Sequence, residues 1–213
     1  MPATLSPASP LTLHEIRRLD DPLLLPWLAL WETSFPPEER ELAAEILAAV
    51  AARPDQDRGP HLLAATGEED EFTGLVYYIL HAGPQGLAAV LAYFATAPER
   101  RNQGLGARLY RAVRDRLTAL GALAVILEVE IPERAEDEAR AELAARRIAF
   151  YRRLGCRRLA GVSYRQYVGD HVAPIPMHLL VDAPPSLSAA EAVALAGQCF
   201  GPWLTVTGEA EYD

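Results

Sequence analysis

LAYFATAPERRNQGLGARL, residues 91–109, reads as four consecutive pieces: an apolar strand, a short turn around Pro98, a glycine-rich loop and the start of a helix. The loop is Arg101-Asn102-Gln103-Gly104-Leu105-Gly106-Ala107. Glycines let the backbone come close to a ligand, and the first N–H groups of a helix have no partner within it. A strand that delivers such a loop to a helix N-terminus is a ready site for an anion. A phosphorylated ligand, most simply a cofactor, is the expectation.

Three phosphate loops have this general shape. A Walker A loop ends in Gly-Lys-Ser/Thr, and the chain contains no lysine. A Rossmann fingerprint needs a third glycine, and Leu109 stands in its place. Arg101-x-x-Gly104-x-Gly106, with Pro98 three residues before it, instead resembles the Q/R-x-x-G-x-G/A motif of the GNAT superfamily of acyl-CoA-dependent N-acetyltransferases. The resemblance implies acetyl-CoA as acyl donor. Its pyrophosphate would be held by Arg101, Asn102, Gln103, Gly104, Leu105, Gly106 and Ala107. Phe94, Ala95 and Thr96, at the end of the preceding strand, would lie along the cofactor. A backbone N–H near Phe94 or Ala95, where family members splay the strand, would hold the oxyanion.

A second stretch supports the first. Residues 122–131, ALAVILEVEI, read as a buried strand. A helix then ends in Phe150-Tyr151-Arg152-Arg153-Leu154-Gly155-Cys156, with Gly155 suited to a position just past the helix that needs positive φ. This resembles the GNAT ending in which an aromatic-Tyr pair precedes a Leu-Gly-Phe turn. The resemblance implies that Tyr151 faces the coenzyme A sulfur and serves as general acid. A phenol with an ordinary pKa near 10 can donate a proton at neutral pH without being ionised. Taken alone, Tyr151 is equally consistent with a core aromatic whose hydroxyl reaches water.

Leu127-Glu128-Val129 matches a Leu-Glu-Val sequence found on this strand in some GNAT enzymes. Glu128 is the candidate base, ahead of Glu130, which shares its face of the strand. A solvated strand-end carboxylate is the competing account. Two features depart from the family pattern. Ala144 stands where many members carry Asn, and the charged run 132–142 makes the segment before Tyr151 about ten residues longer than common. Cys156 replaces the usual Phe.

The remaining sequence supplies the frame. A strand is expected over 11–19, a helix opened by Asp20-Asp21-Pro22, and a second helix over 38–52. Strands follow at 61–66, 72–81 and 87–96, with His81 expected at the surface. The helix after the loop carries Leu105, Leu109, Val113 and Leu117 on one stripe, leaving Arg108, Arg111 and Arg114 on a solvated face. Strands at 157–168 and 176–181 and a helix over 188–198 complete the order, with 208–213 as a frayed tail. The fold class is α/β: a GNAT-like mixed, mostly antiparallel central sheet flanked by helices, its strands splayed at the cofactor site. The resemblance implies a GNAT-like acetyltransferase domain over residues 1–183, with 184–213 expected as a C-terminal helix and tail packed on the same domain. Because the family's acceptor pocket borders the first two helices, Phe35 and Glu38, with Glu39, are candidate acceptor contacts. Glu130 and Tyr164 join them, with Tyr167 beside Tyr164.

Composition narrows the partners. The net charge of −9 disfavours nucleic acid and mildly favours a cationic acceptor, a small-molecule or peptide amine. No run approaches the roughly 20 apolar residues of a membrane span, and the N-terminus lacks a signal-peptide pattern. Cys156 and Cys199 are the two cysteines, and no Cys/His cluster has metal-ligand spacing, so a cytoplasmic protein without a metal is expected. A homodimer is allowed by analogy with the superfamily. The expected function is N-acetyl transfer from acetyl-CoA to a primary amine. A non-catalytic acyl-CoA-binding or regulatory module on the same fold is the rival expectation.

Overall fold

Successive residues of the strand β2 (Gly59–Thr66) serve different cores: Leu63 and Ala65 point to one face of a sheet, Leu62 and Ala64 to the other. Such a strand is buried on both sides, so helices must cover both faces. The computed structural model describes residues 11–52, 58–100 and 103–213. It builds one sheet from β1 (Thr12–Ile16), β2, β3 (Phe72–Gly83), β4 (Gly86–Thr96), β5 (Ala124–Glu130), β6 (Arg157–Gln166), β7 (Ile175–Asp182) and β8 (Leu204–Tyr212). The spatial order is β1-β2-β3-β4-β5-β7-β6-β8. β4 and β5 run parallel, and the other neighbours are antiparallel.

Among the described residues, five α-helices flank the sheet: α1 (Leu24–Ser34), α2 (Ala43–Ala52), α3 (Leu105–Ala119), α4 (Glu138–Arg153) and α5 (Ala189–Phe200). α3 and α4 cover one face, over Leu91, Leu127 and Val129. α1 and α2 cover the other through Trp27, Trp31 and Ile46, and α5 extends that layer over Ala88 and Ile126. No helix among the described residues is long and apolar enough to cross a membrane.

The expected order of elements is present, with two corrections. The second helix begins at Ala43 rather than at residue 38. Pro37–Glu39 form a single tight turn, and Arg40 is extended at φ −110° and ψ 137°. A tertiary bond holds this segment open, since Glu41 N–H donates to the Tyr93 hydroxyl over 2.9 Å. The expected frayed tail is instead the last strand, β8. It pairs with β6, the Arg157 guanidinium lies 3.7 Å from the centre of the Tyr212 ring, and Asp213 bonds Arg152 and Arg158.

Three helix ends matter for the site. α3 starts at Gly104, whose φ of 74° suits glycine, and no side chain caps it. α4 is capped by Asp137, which accepts the Arg140 N–H at 2.7 Å. Its C-terminus closes with two reverse bonds, Gly155 N–H to Arg152 C=O and Cys156 N–H to Tyr151 C=O, with Gly155 at φ 101°. These bonds fix the last turn of α4, and Tyr151 with it.

Candidate active site

The site forms where β4 and β5 part. Their parallel pairing runs from Ala88↔Ala124 to Leu91↔Leu127 and stops. Just there β4 carries a bulge: Tyr93 pairs with Tyr77 and Leu91 with Tyr78, leaving Ala92 as an extra residue. A bulge bends its strand and sharpens the local twist. β4 therefore leaves with β3 while β5 continues along β7 as far as Glu130↔Met177. The backbone groups on the β5 side of β4 beyond Leu91 lose their ladder partners, which leaves them for a ligand.

A cleft of about 40 Å³ fills the gap. Phe94, Glu128, Glu130 and Tyr151 line it, with Phe35 and Glu39 from the α1–α2 connection. Above it an aromatic shelf leads to the start of α3. Phe150 lies 5.1 Å from Tyr151, ring centre to ring centre, and would sit 3.5 Å from a Cβ placed on Gly106. Phe94 lies 6.4 Å from both Phe150 and Tyr151. The first turn of α3, at Gly106, thus stands at one end of the shelf and the Tyr151 ring at the other.

The tyrosine hydroxyl makes no hydrogen bond among the described residues. Burial raises its pKa well above the ordinary phenol value, against the pull of Arg147, so it remains a proton donor at neutral pH. Its neighbour Tyr110 is committed elsewhere, donating to Asp182 at 2.9 Å with Cys156 Sγ 3.1 Å away. Cys156 and Cys199 are both pushed up to about 12, chiefly by burial, and stay thiols.

Carboxyls on the other side of the gap behave differently. Glu39, Glu41 and Glu128 are each pushed up to about 7, in every case chiefly by burial. Tyr164 donates a hydrogen bond to Glu128 and draws its pKa back down, while Glu41 adds to the rise. Glu130, by contrast, forms an ion pair with Arg147 at the edge of the cleft. Tyr93 organises the region, since its hydroxyl accepts from Glu41 N–H and donates to Glu39 C=O at 3.3 Å. Its ring packs 4.9 Å from Phe35.

The structure thus gathers Phe35, Phe94, Glu128, Glu130 and Tyr151 around one cleft, and Tyr164 reaches it through Glu128. Ala95 and Thr96 lie further along β4, paired with Leu75 and Gly74. Gln103 Nε2 donates to Glu99 C=O at 3.2 Å, and Arg101 and Asn102 lie outside the described residues. Glu38 is not brought to the cleft, because it pairs with Arg140 at 3.1 Å on the surface. His81 is half-buried rather than at the surface, and burial lowers its pKa. Arg114 leaves the solvated face to approach Asp182 at 3.7 Å. Arg147, Glu41 and Gln166 carried no role in the sequence. Glu41 is held out of the apparent helix by long-range contacts, with its N–H bonded to the Tyr93 hydroxyl and its carboxyl to the Tyr77 hydroxyl.

An uncapped helix terminus with glycine at positive φ suits a diphosphate, and the gap between β4 and β5 suits a pantetheine arm and its thioester. Strands that part beside such a terminus are the arrangement of an acyl-CoA-dependent acyltransferase. The model of the Acetyltransferase (GNAT) family matches residues 24–156, and the chain belongs to that family. Acetyl-CoA is the family's acyl donor.

Solved structures agree on the fold. A protein from Bacteroides thetaiotaomicron described as a GNAT acetyltransferase is similar at 24% identity with a TM-score of 0.65, over 89% of this chain and 98% of that one. A GNAT acetyltransferase from Elizabethkingia anophelis with acetyl-CoA bound matches at 14% identity and a TM-score of 0.52, over 82% and 98% of the two chains. Naa50 from Arabidopsis thaliana, in complex with the bisubstrate analogue CoA-Ac-MVNAL, matches at 17% identity and 0.54, over 82% and 99%. No curated protein matches the chain.

Proposed function

We propose that the chain is an N-acetyltransferase in which a primary amine attacks acetyl-CoA directly within a ternary complex. When bound, acetyl-CoA supplies an acetyl group activated as a thioester. The observation that carries the reading is the meeting of Glu128, with its pKa near 7, and the unpartnered Tyr151 hydroxyl in the gap between β4 and β5. Glu128 takes a proton from the ammonium, directly or through water, and leaves a neutral amine to attack. As the N–C bond forms and the C–S bond breaks, Tyr151 gives its proton to the departing sulfur, and the second proton leaves the nitrogen to restore the Tyr151 phenol by way of water, while the first passes from Glu128 to solvent. The open edge of β4 near Phe94 and Ala95 offers N–H groups to the developing oxyanion. Gly104, Leu105, Gly106 and Ala107, with Gln103, present the backbone for the diphosphate.

Direct attack, rather than a relay through an acyl-cysteine, is supported by the cysteines: with pKa values near 12 neither is a ready nucleophile at neutral pH. Two unbridged cysteines also favour a reducing compartment, and we place the protein in the cytoplasm. Tyr151→Phe tests the mechanism, with the free thiol measured as it is released from acetyl-CoA in the presence of an amine. Turnover is expected to fall by about 10²-fold, the usual worth of a general acid, with acetyl-CoA binding kept. Unchanged turnover would remove Tyr151 from the chemistry.

A further inference from the structure

Glu128 separates two chambers. One is the cleft beneath Tyr151. The other is a cavity of about 230 Å³ on the face covered by α1, α2 and α5. Ala92, Tyr93, Glu128 and Gln166 line both, so the chambers meet at the bulge of β4. The far wall of the second chamber comes from Tyr164, Tyr167, Phe200 and Trp203. All four lie beyond residues 24–156, the stretch that the family model matches. The rings pack in two pairs: Tyr164 lies 4.4 Å from Phe200, and Tyr167 stacks on Trp203 at 4.5 Å with 8° between the planes.

The acidic groups sit at the end next to the chemistry, and His81 of β3 also lines the chamber, away from the bulge. Glu41 and Glu128 line the chamber and no arginine does. Gln166 is 9% exposed, its side chain lies beside Glu128 and lowers its pKa, and its Oε1 has no hydrogen-bond partner among the described residues. A buried carbonyl oxygen left unpaired is costly, and an ammonium N–H arriving at Glu128 would satisfy it. The chamber therefore has a mouth lined by two carboxyl groups at the reacting centre and a largely aromatic body behind it.

We infer that this chamber is the acceptor site and that it takes a compact arylalkylamine, a primary amine with one positive charge and a flat apolar body. The inference rests on the amine-transfer reading above and adds the class of amine. Flat walls of aromatic rings stack on a flat body, and two carboxyl groups with a carbonyl oxygen receive one amine nitrogen. An amino sugar would set most of its hydroxyls against the rings of Phe200 and Trp203, with His81 and Tyr167 as the polar side chains of that wall. A polyamine would carry further ammonium groups toward a wall lined by no carboxylate. The volume falls below the roughly 300–1,000 Å³ typical of drug-sized ligands, which favours a small amine. The C-terminal segment, from α5 through Trp203, thereby becomes the element that sets specificity.

The test uses the full chain and four amines: 2-phenylethylamine, spermidine, glucosamine and a short peptide with a free N-terminus. Acetyl transfer is read as thiol release, and binding of 2-phenylethylamine is read separately by calorimetry with coenzyme A present. 2-Phenylethylamine is expected to exceed the others in kcat/KM by roughly tenfold or more. Trp203→Ala is expected to raise its KM by a similar factor while leaving the KM for acetyl-CoA in place, and Trp203→Phe to restore most of the loss. Preference for spermidine, glucosamine or the peptide would overturn the arylalkylamine inference and leave N-acetyl transfer standing. Binding of 2-phenylethylamine that Trp203→Ala weakens, with no amine acetylated, would keep the chamber and overturn the transfer reading. Neither binding nor turnover of 2-phenylethylamine would overturn the inference outright, with no variant needed.

Discussion

Replacing Glu128 by Gln separates the electrostatics of the site from its packing. Burial, with Glu41 nearby, lifts the carboxyl from 4.5 to about 7, against the hydrogen bond from Tyr164. A rise of that size disfavours the ionised form by on the order of 3 kcal/mol, at roughly 1.4 kcal/mol for each tenfold change in the acid equilibrium. In the unfolded chain the group ionises near its ordinary value. Between there and pH 7 the folded protein holds more protons than the unfolded one, so this residue's contribution to stability falls as pH rises and levels off above about 7. Glutamine does not titrate. The unfolding free energy of E128Q relative to wild type should therefore shift in favour of the variant by about 2–3 kcal/mol between pH 5 and pH 8. Comparing two pH values cancels the fixed cost of exchanging a carboxyl for an amide. Urea unfolding at both pH values, followed by circular dichroism, measures the shift. In the same variant, kcat/KM should drop by about 10²-fold and lose the rise through pH 7 expected of the wild type. A stability difference that does not change with pH would refute the argument, because Glu128 would then not sit where charge is disfavoured.

Three other substitutions probe the frame around the site. Gly104→Ala puts a side chain at φ 74°; a left-handed residue costs about 1–2 kcal/mol, so the melting temperature should fall and the KM for acetyl-CoA rise together. Gly161→Val, where a Cβ would lie 2.1 Å from the Glu209 carbonyl oxygen at φ 76°, should force β8 away from β6. In urea it should cost more than about 1 kcal/mol, and wild-type stability would show that β8 is dispensable. Tyr93→Phe removes the hydroxyl that holds Glu41 N–H and Glu39 C=O. It should cost about 1 kcal/mol and raise the KM for the amine more than that for acetyl-CoA, as read in steady-state kinetics.

Local patterns in the chain determine a good deal by themselves. Two glycines after an apolar strand mark the turn into α3, because positive φ at Gly104 and open helix amides are properties of a few adjacent residues. Gly155 marks the end of α4, and so the position of Tyr151, for the same reason. Ser188 and Glu191 form the capping box that starts α5, again within four residues. Long-range contacts decide the rest. Residues 38–42 have helical composition, yet the Tyr93 hydroxyl holds Glu41 out of the helix and into the site. Residues 208–213 look like a tail until β6 offers a free edge and Arg158 a partner for Asp213. Glu128 and Glu130 look alike on their strand, but Arg147, seventeen residues on, claims Glu130 and Tyr164 faces Glu128. The cause is physical: a turn or a cap is settled by neighbours in sequence, whereas burial, and with it the pKa of a carboxyl, depends on whatever the folded chain packs against it.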